Sequence, residues 1–135
     1  MKKTTFAAAL GLASLISGAA MADPVDGLWK TQPGDTGGYL HVSIAECGSA
    51  ICGTIDTAFD KDGNEQLEYE NLGKQIIWDM VPDGDGTYGG GKIWAPDRDK
   101  TYSSKMTLDS QNKLTVKGCV AGGLVCRGQD WTRVQ

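Results

Sequence analysis

Short stretches of period-two apolar patterning, cut by Gly, Asp, Asn and Pro, constrain this chain more than any other feature. In Tyr39 to Ile44 the apolar residues Leu40, Val42 and Ile44 alternate with polar ones. Strand geometry puts alternate side chains on opposite faces, so these three share one side. Comparable strand-like runs are Gly27–Thr31, Ile51–Ile55, Gln75–Met80, Thr87–Trp94, Thr101–Leu108, Lys113–Cys119 and Cys126–Val134. Pro82-Asp83-Gly84-Asp85-Gly86, Pro96–Lys100 and Ser110–Lys113 carry turn chemistry between them, because Gly and Asp accept the positive φ that tight turns need. The Gly89-Gly90-Gly91 run inside a strand marks a bulge or bend. Helix signals are sparse. Glu65 to Leu72 is the exception and is expected to make two helical turns stopped by Gly73. About eight strands without helical crossovers imply an all-β, antiparallel, up-and-down arrangement. Eight strands close into a small barrel, which removes exposed edges; an open sandwich is the alternative.

The N-terminus sets the compartment. Lys2 and Lys3 form a basic head, Phe6 to Ile16 is uncharged and mostly apolar, and Ala20-Met21-Ala22 precedes Asp23. This order of parts reads as a secretory leader over residues 1–22, cleaved after Ala22, with a single domain over residues 23–135. The apolar run is too short to span a bilayer as a helix. The expected location is periplasmic or secreted. Loss of Lys2 and Lys3 takes the formal charge from −4 to −6. An acidic balance disfavours nucleic acid and anionic membranes as partners and permits a cationic one. After the leader, the apolar stretches are only a few residues long, so no integral membrane segment is expected.

Four cysteines stand at positions 47, 52, 119 and 126. An even count in an exported domain reads as two disulfides. Three pairings are open; the local one, Cys47–Cys52 with Cys119–Cys126, suits two bridges that each clip a hairpin. Loops this short contribute only about 2–2.5 kcal/mol each in the chain-entropy model. The spacings are not those of zinc knuckles and the chain has one His, so no metal is expected there.

Catalysis has little to work with. His41 sits on an alternating strand, opposite Leu40 and Val42, and reads as a half-exposed strand residue. No Gly-x-Ser-x-Gly elbow occurs, and paired cysteines offer no attacking thiol. Asp60, Asp62, Glu65, Asp79, Asp83, Asp85, Asp97 and Asp99 lie mainly in turns, where Asp serves by bonding the backbone. Asp60-Lys61-Asp62-Gly63-Asn64-Glu65 starts like a calcium loop, then has Glu65 where Gly is needed and Asn71 where the bidentate Glu would stand. No catalytic residue, metal or cofactor is expected. The aromatics are more informative. Trp78, Met80, Trp94, Tyr102 and Met106 fall on neighbouring strands in mid-chain. If they face inward they either fill a narrow barrel or line a pocket for a small apolar molecule. Trp78, Trp94, Tyr102 and Met106 are the candidate ligand-binding residues.

Gly27-Leu28-Trp29 resembles the Gly-x-Trp of lipocalins and related calycins, and Arg133 resembles the basic residue that covers that Trp. A guanidinium on an indole face closes a barrel end by cation–π attraction and burial. The resemblance extends along the chain. Asp23 to Trp29, Cys47-Gly48 with Cys52-Gly53, Gly90 to Trp94 with Pro96, Lys100 to Ser103, Gly118-Cys119 and Trp131-Thr132-Arg133 look like the bacterial exported family called domain of unknown function 2147. The chain departs from that pattern at Ala95, where the family tends to be acidic, and at Glu65 to Asn71, where it tends to be basic. The resemblance implies a small lipocalin-like barrel and no established reaction, cofactor or ligand.

The expectation is an exported, monomeric, non-enzymatic protein holding a small apolar or amphipathic ligand. The alternative is a protein-binding module, such as an inhibitor of a cationic cell-wall hydrolase of the lysozyme type. Its contact loops would be the acidic turns at Asp83-Gly84-Asp85 and Asp97-Arg98-Asp99.

Overall fold

The computed structural model describes residues 22–135. The expected leader therefore lies, apart from Ala22, outside the described residues. Eight strands follow in chain order: β1 (Gly27–Lys30), β2 (Tyr39–Cys47), β3 (Ala50–Phe59), β4 (Gln75–Gly84), β5 (Thr87–Ala95), β6 (Lys100–Ser110), β7 (Lys113–Val120) and β8 (Val125–Arg133). Each pairs antiparallel with the next, and β8 returns to β1 through Trp29 opposite Arg133 and Lys30 opposite Thr132. The sheet is a closed up-and-down barrel, so the ladder closes with no open edge.

Turn chemistry explains the closures. Between β4 and β5 the two-residue loop is Asp85-Gly86, both at positive φ (55° and 78°), the geometry that matches the strands' twist. β4 runs on through Pro82 and Asp83 to Gly84, so the turn is shorter than the Pro82–Gly86 stretch suggests. The helical expectation for Glu65 to Leu72 is overturned. The segment is a chain of turns, with Tyr69 N–H donating to Gln66 O and Leu72 N–H to Tyr69 O. It is tied at both ends to β3, through Gln66 N–H to Ala58 O and Gly73 N–H to Ile55 O. Leu67 is 74% exposed and only Tyr69 packs against the core, too narrow an apolar face to stabilise a short helix.

The two ends of the barrel differ. Connections 48–49, 85–86 and 111–112 lie at one end, together with the segment before β1 and the chain's C-terminus. That end is filled by Val25, Trp29, Ile44, Ile51, Met80, Tyr88, Met106 and Leu114. Trp29 and Leu114 have no exposed surface. The opposite end carries the longer connections 31–38 and 60–74, with 96–99 and the short helical turn Ala121–Gly123. That end is open.

Candidate functional site

The filled end is capped by its own termini. Trp29 Nε1–H donates to Val25 O at 2.8 Å, which folds the leading segment across the barrel floor. The Arg133 guanidinium lies 4.3 Å from the Trp29 ring centroid. Its three nitrogens donate to Gln111 O (2.5 Å), Asp26 O (2.8 Å) and Pro24 O (2.7 Å). Gly27, at φ 144°, is required beneath it, because an added Cβ would lie 2.6 Å from Arg133 Nη1 and from Gln135 O. Trp29 and Arg133 are therefore stacked at the filled end, where β1 meets β8. Tyr88 O–H donates to Asp23 Oδ1 at 2.5 Å, pinning the same segment from below. Burial, reinforced by that bond, pushes the Tyr88 phenol well above its ordinary range. Asp26 Oδ1 is buried without a hydrogen-bond partner. Burial, with Asp23 and Glu46 adding like charge, raises the Asp26 carboxyl above the usual carboxylate value.

At the open end a cavity of about 1340 Å³ enters the barrel. Its wall includes Leu40, Ile76, Ile93, Tyr102, Val116 and Trp131. Ile76 lines it because the β3–β4 register shifts between Gly53 and Thr54, which buries both Ile76 and Ile77. Gly118 lets Tyr102 and Ile93 lie close to the β7 backbone: a Cβ there would sit 3.5 Å from Tyr102 Cβ and 3.7 Å from Ile93 Cγ2. At the mouth, Trp94 Nε1–H donates to Asp99 Oδ1 at 3.0 Å, and Lys74 Nζ lies 3.8 Å from its ring centroid. Two mouth connections therefore hold one indole at the entrance.

Two of the four candidate ligand-binding residues, Trp94 and Tyr102, line this cavity. The other two are placed elsewhere. Met106 is 2% exposed within the filled core. Its truncation to Ala should therefore cost about 2–5 kcal/mol of stability, as in other packed cores. Trp78 lies opposite Lys92 on β5, while its neighbour Ile77 takes the buried position opposite Ile93. Strand parity turns Trp78 to the outer face, and a positive φ of 56° at Asp79 restores Met80 to the interior. Lining residues that the sequence did not single out include Leu40, Ile76, Ile93, Val116, Arg127, Gln129 and Trp131. Counting back by twos from Trp131 would have found Gln129.

The cysteines pair locally, Cys47 with Cys52 near the filled end and Cys119 with Cys126 across β7 and β8 near the mouth. Asp60 is absorbed by its own loop. Its carboxylate accepts the backbone N–H groups of Asp62 and Asn64, both at 2.9 Å. The Asn64 bond is the largest influence holding that carboxyl below its ordinary value. Among the described residues no cluster of three or more His, Cys, Asp or Glu side chains is arranged to hold a metal ion. His41 packs against Phe59, with ring centroids 4.6 Å apart, on the outer face. Burial holds its imidazole below the ordinary value, against the pull of Asp56. Among the described residues no helix is long and apolar enough to cross a membrane.

Among solved structures, protein HP1028 from the human pathogen Helicobacter pylori, described as belonging to the lipocalin family, is similar. It shares 18% identity, with 82% of each chain covered and a TM-score of 0.66. At that identity the likeness speaks to the fold alone. No curated protein matches the chain. A family model described as "Uncharacterized protein conserved in bacteria (DUF2147)" matches residues 27–133. The chain, a closed eight-stranded lipocalin-like barrel, belongs to the DUF2147 family.

Proposed function

We propose that this protein is an exported, non-enzymatic binding protein that holds a small apolar or amphipathic molecule in its barrel. The observation that carries this reading is the open cavity of about 1340 Å³, walled by Leu40, Ile76, Ile93, Tyr102, Val116 and Trp131. Its size exceeds the range of about 300–1,000 Å³ common for small-molecule sites; the apolar residues stand on the strands, and the connections at the mouth add polar ones such as Gln66, Asn71 and Arg98. A barrel filled at both ends would offer no such space; this one is filled only beneath Trp29 and Leu114. Two disulfides and the leader-like N-terminus support work in the periplasm or beyond, where disulfides persist.

The test is native mass spectrometry of the protein purified from periplasm, against its denatured mass, joined to titration of Trp94→Ala. A mass excess lost on denaturation supports a carried molecule. Trp94→Ala should weaken binding of that molecule more than it lowers the melting temperature, because the indole stands at the entrance and not in the packed end. Equal losses in both would make Trp94 a packing residue and count against the site.

A further inference from the structure

The inner face of β8 gives the cavity a chemical preference. Leu114 and Val116 of β7 face inward, opposite Trp131 and Gln129 of β8. Continuing the alternation puts Arg127 on the same inner face, opposite Gly118, and all of Gly118, Arg127 and Gln129 line the cavity. Gly118 contributes no side chain there; Tyr102 and Ile93 lie against its inner face instead, beside Arg127 on the cavity lining.

Gln129 has its amide orientation set by chemistry. Trp131 Nε1–H bonds to Gln129 Oε1 at 3.1 Å. An indole N–H only donates, so the Gln oxygen must turn toward it, and the Nε2 group is left with two free donors. Arg127 carries five donors and no acceptor. The guanidinium has no hydrogen-bond or ion-pair partner among the described residues; their one ion pair is Lys113–Asp130. Two successive inward positions on one strand thus present donors with no protein partner, and a positive charge, beside the apolar residues of the wall; Lys61 and Arg98 also line the cavity, from exposed mouth connections. Of the carboxylates around the mouth, Asp60 is occupied by its own loop, while Asp35, Glu70 and Asp97 stand on exposed connections. Solvent screens such loop charges.

We infer that the cavity takes a ligand with an anionic oxygen head group on an apolar body, the head held by Arg127 and Gln129 and the body lying along Ile76, Ile93 and Val116. This rests on the cavity-binding reading above and narrows it. A neutral or cationic head would leave the Arg127 charge unpaired on ligand entry and bring no acceptor strong enough to replace water. A carboxylate or phosphate monoester matches the guanidinium fork in geometry and charge.

The test is calorimetric titration of the mature protein with laurate, dodecyl phosphate, dodecanol and dodecyltrimethylammonium, which share a tail and differ in head. The two anions should bind at least about tenfold more tightly than dodecanol, and whichever binds better names the head. Arg127→Gln should weaken anion binding about tenfold and dodecanol binding far less, while Arg127→Lys, which keeps the charge but not the fork, should fall between the parent and Arg127→Gln. Arg127 is exposed to the cavity, so the melting temperature of each variant checks that folding is intact. Dodecanol or the ammonium compound binding as tightly as the anions, or Arg127→Gln weakening all ligands alike, overturns the head-group assignment and leaves cavity binding standing. Failure of all four to bind overturns both readings.

Discussion

Removing the Arg133 guanidinium should unlatch the filled end of the barrel. Arg133→Ala deletes three hydrogen bonds, to Gln111 O, Asp26 O and Pro24 O, and the cation 4.3 Å above the Trp29 ring. Bonds to a charged donor contribute about 1.5–3 kcal/mol each when buried. Arg133 is only half-buried and water takes over part of the loss, so about 0.5–1 kcal/mol each is the working figure. The cation–π contact adds about 0.5–2 kcal/mol. The expected destabilisation is about 3 kcal/mol, or a melting temperature lower by about 10 °C or more for a domain of this size. Thermal unfolding by near-ultraviolet circular dichroism measures the global effect. Exchange of the Trp29 indole proton, bonded to Val25 O, measures local opening and should quicken in the variant. Arg133→Lys keeps a cation over the indole but not the fork across three carbonyls, so it should recover less than half the loss. A melting temperature within about 3 °C of the parent for Arg133→Ala, or full recovery by Lys, would refute the latch.

Other consequences concern the same floor. Gly27→Ala should be destabilising, since its Cβ meets Arg133 Nη1 and Gln135 O at 2.6 Å; its cost should shrink, without vanishing, in an Arg133→Ala background, because the positive φ remains. The Asp26 carboxyl, raised by burial, contributes stability below its unfolded pKa of about 4 and loses it as pH rises through the higher folded value. Asp26→Asn should therefore melt above the parent at neutral pH, with the gap closing on acidification; a gap that widens in acid contradicts the burial argument. Tyr88 contributes fully below its unfolded pKa of about 10, and that stability is lost as pH climbs toward the raised folded value. Denaturant titrations should show Tyr88→Phe about 1 kcal/mol less stable at neutral pH and less sensitive to alkali than the parent.

A barrel filled at one end and hollow at the other follows from where chain bulk is spent. The filled half has the Trp29 indole, the Val25 plug and the Met80 and Met106 thioethers meeting at its axis. Toward the mouth, Gly118 and Ala58 stand on the wall where bulky residues would be needed to fill the interior. Of the longer connections there, 60–74 packs Tyr69 only partly buried against the core, where the opposite end has Val25 fully buried. Met80 in turn relies on Gly91, where a Cβ would come within 2.9 Å of its sulfur.

Much of this was legible in the residues themselves. Closure into a barrel over an open sandwich rests on strand count and the lipocalin resemblance, while alternation in Leu40, Val42 and Ile44, the turn residues around Asp85-Gly86 and the local spacing of the cysteines point to an all-β antiparallel chain with short clips. These are local signals: strand parity, turn φ preference and short loop closure act within a few residues. What only the tertiary structure decided depends on register. One bulge residue reverses every side chain beyond it, and no local pattern announces it. The shift beside Ile76 and the positive φ at Asp79 put Ile77 and Met80 inside and Trp78 outside. Met106, Gln129 and Arg127 follow uninterrupted alternation from buried neighbours; for them the tertiary structure decided which end of the barrel is filled and which is open. Glu65 to Leu72 has helix-compatible residues, but anchoring to β3 at both ends, with only Tyr69 packed against the core and Leu67 in solvent, left it as turns.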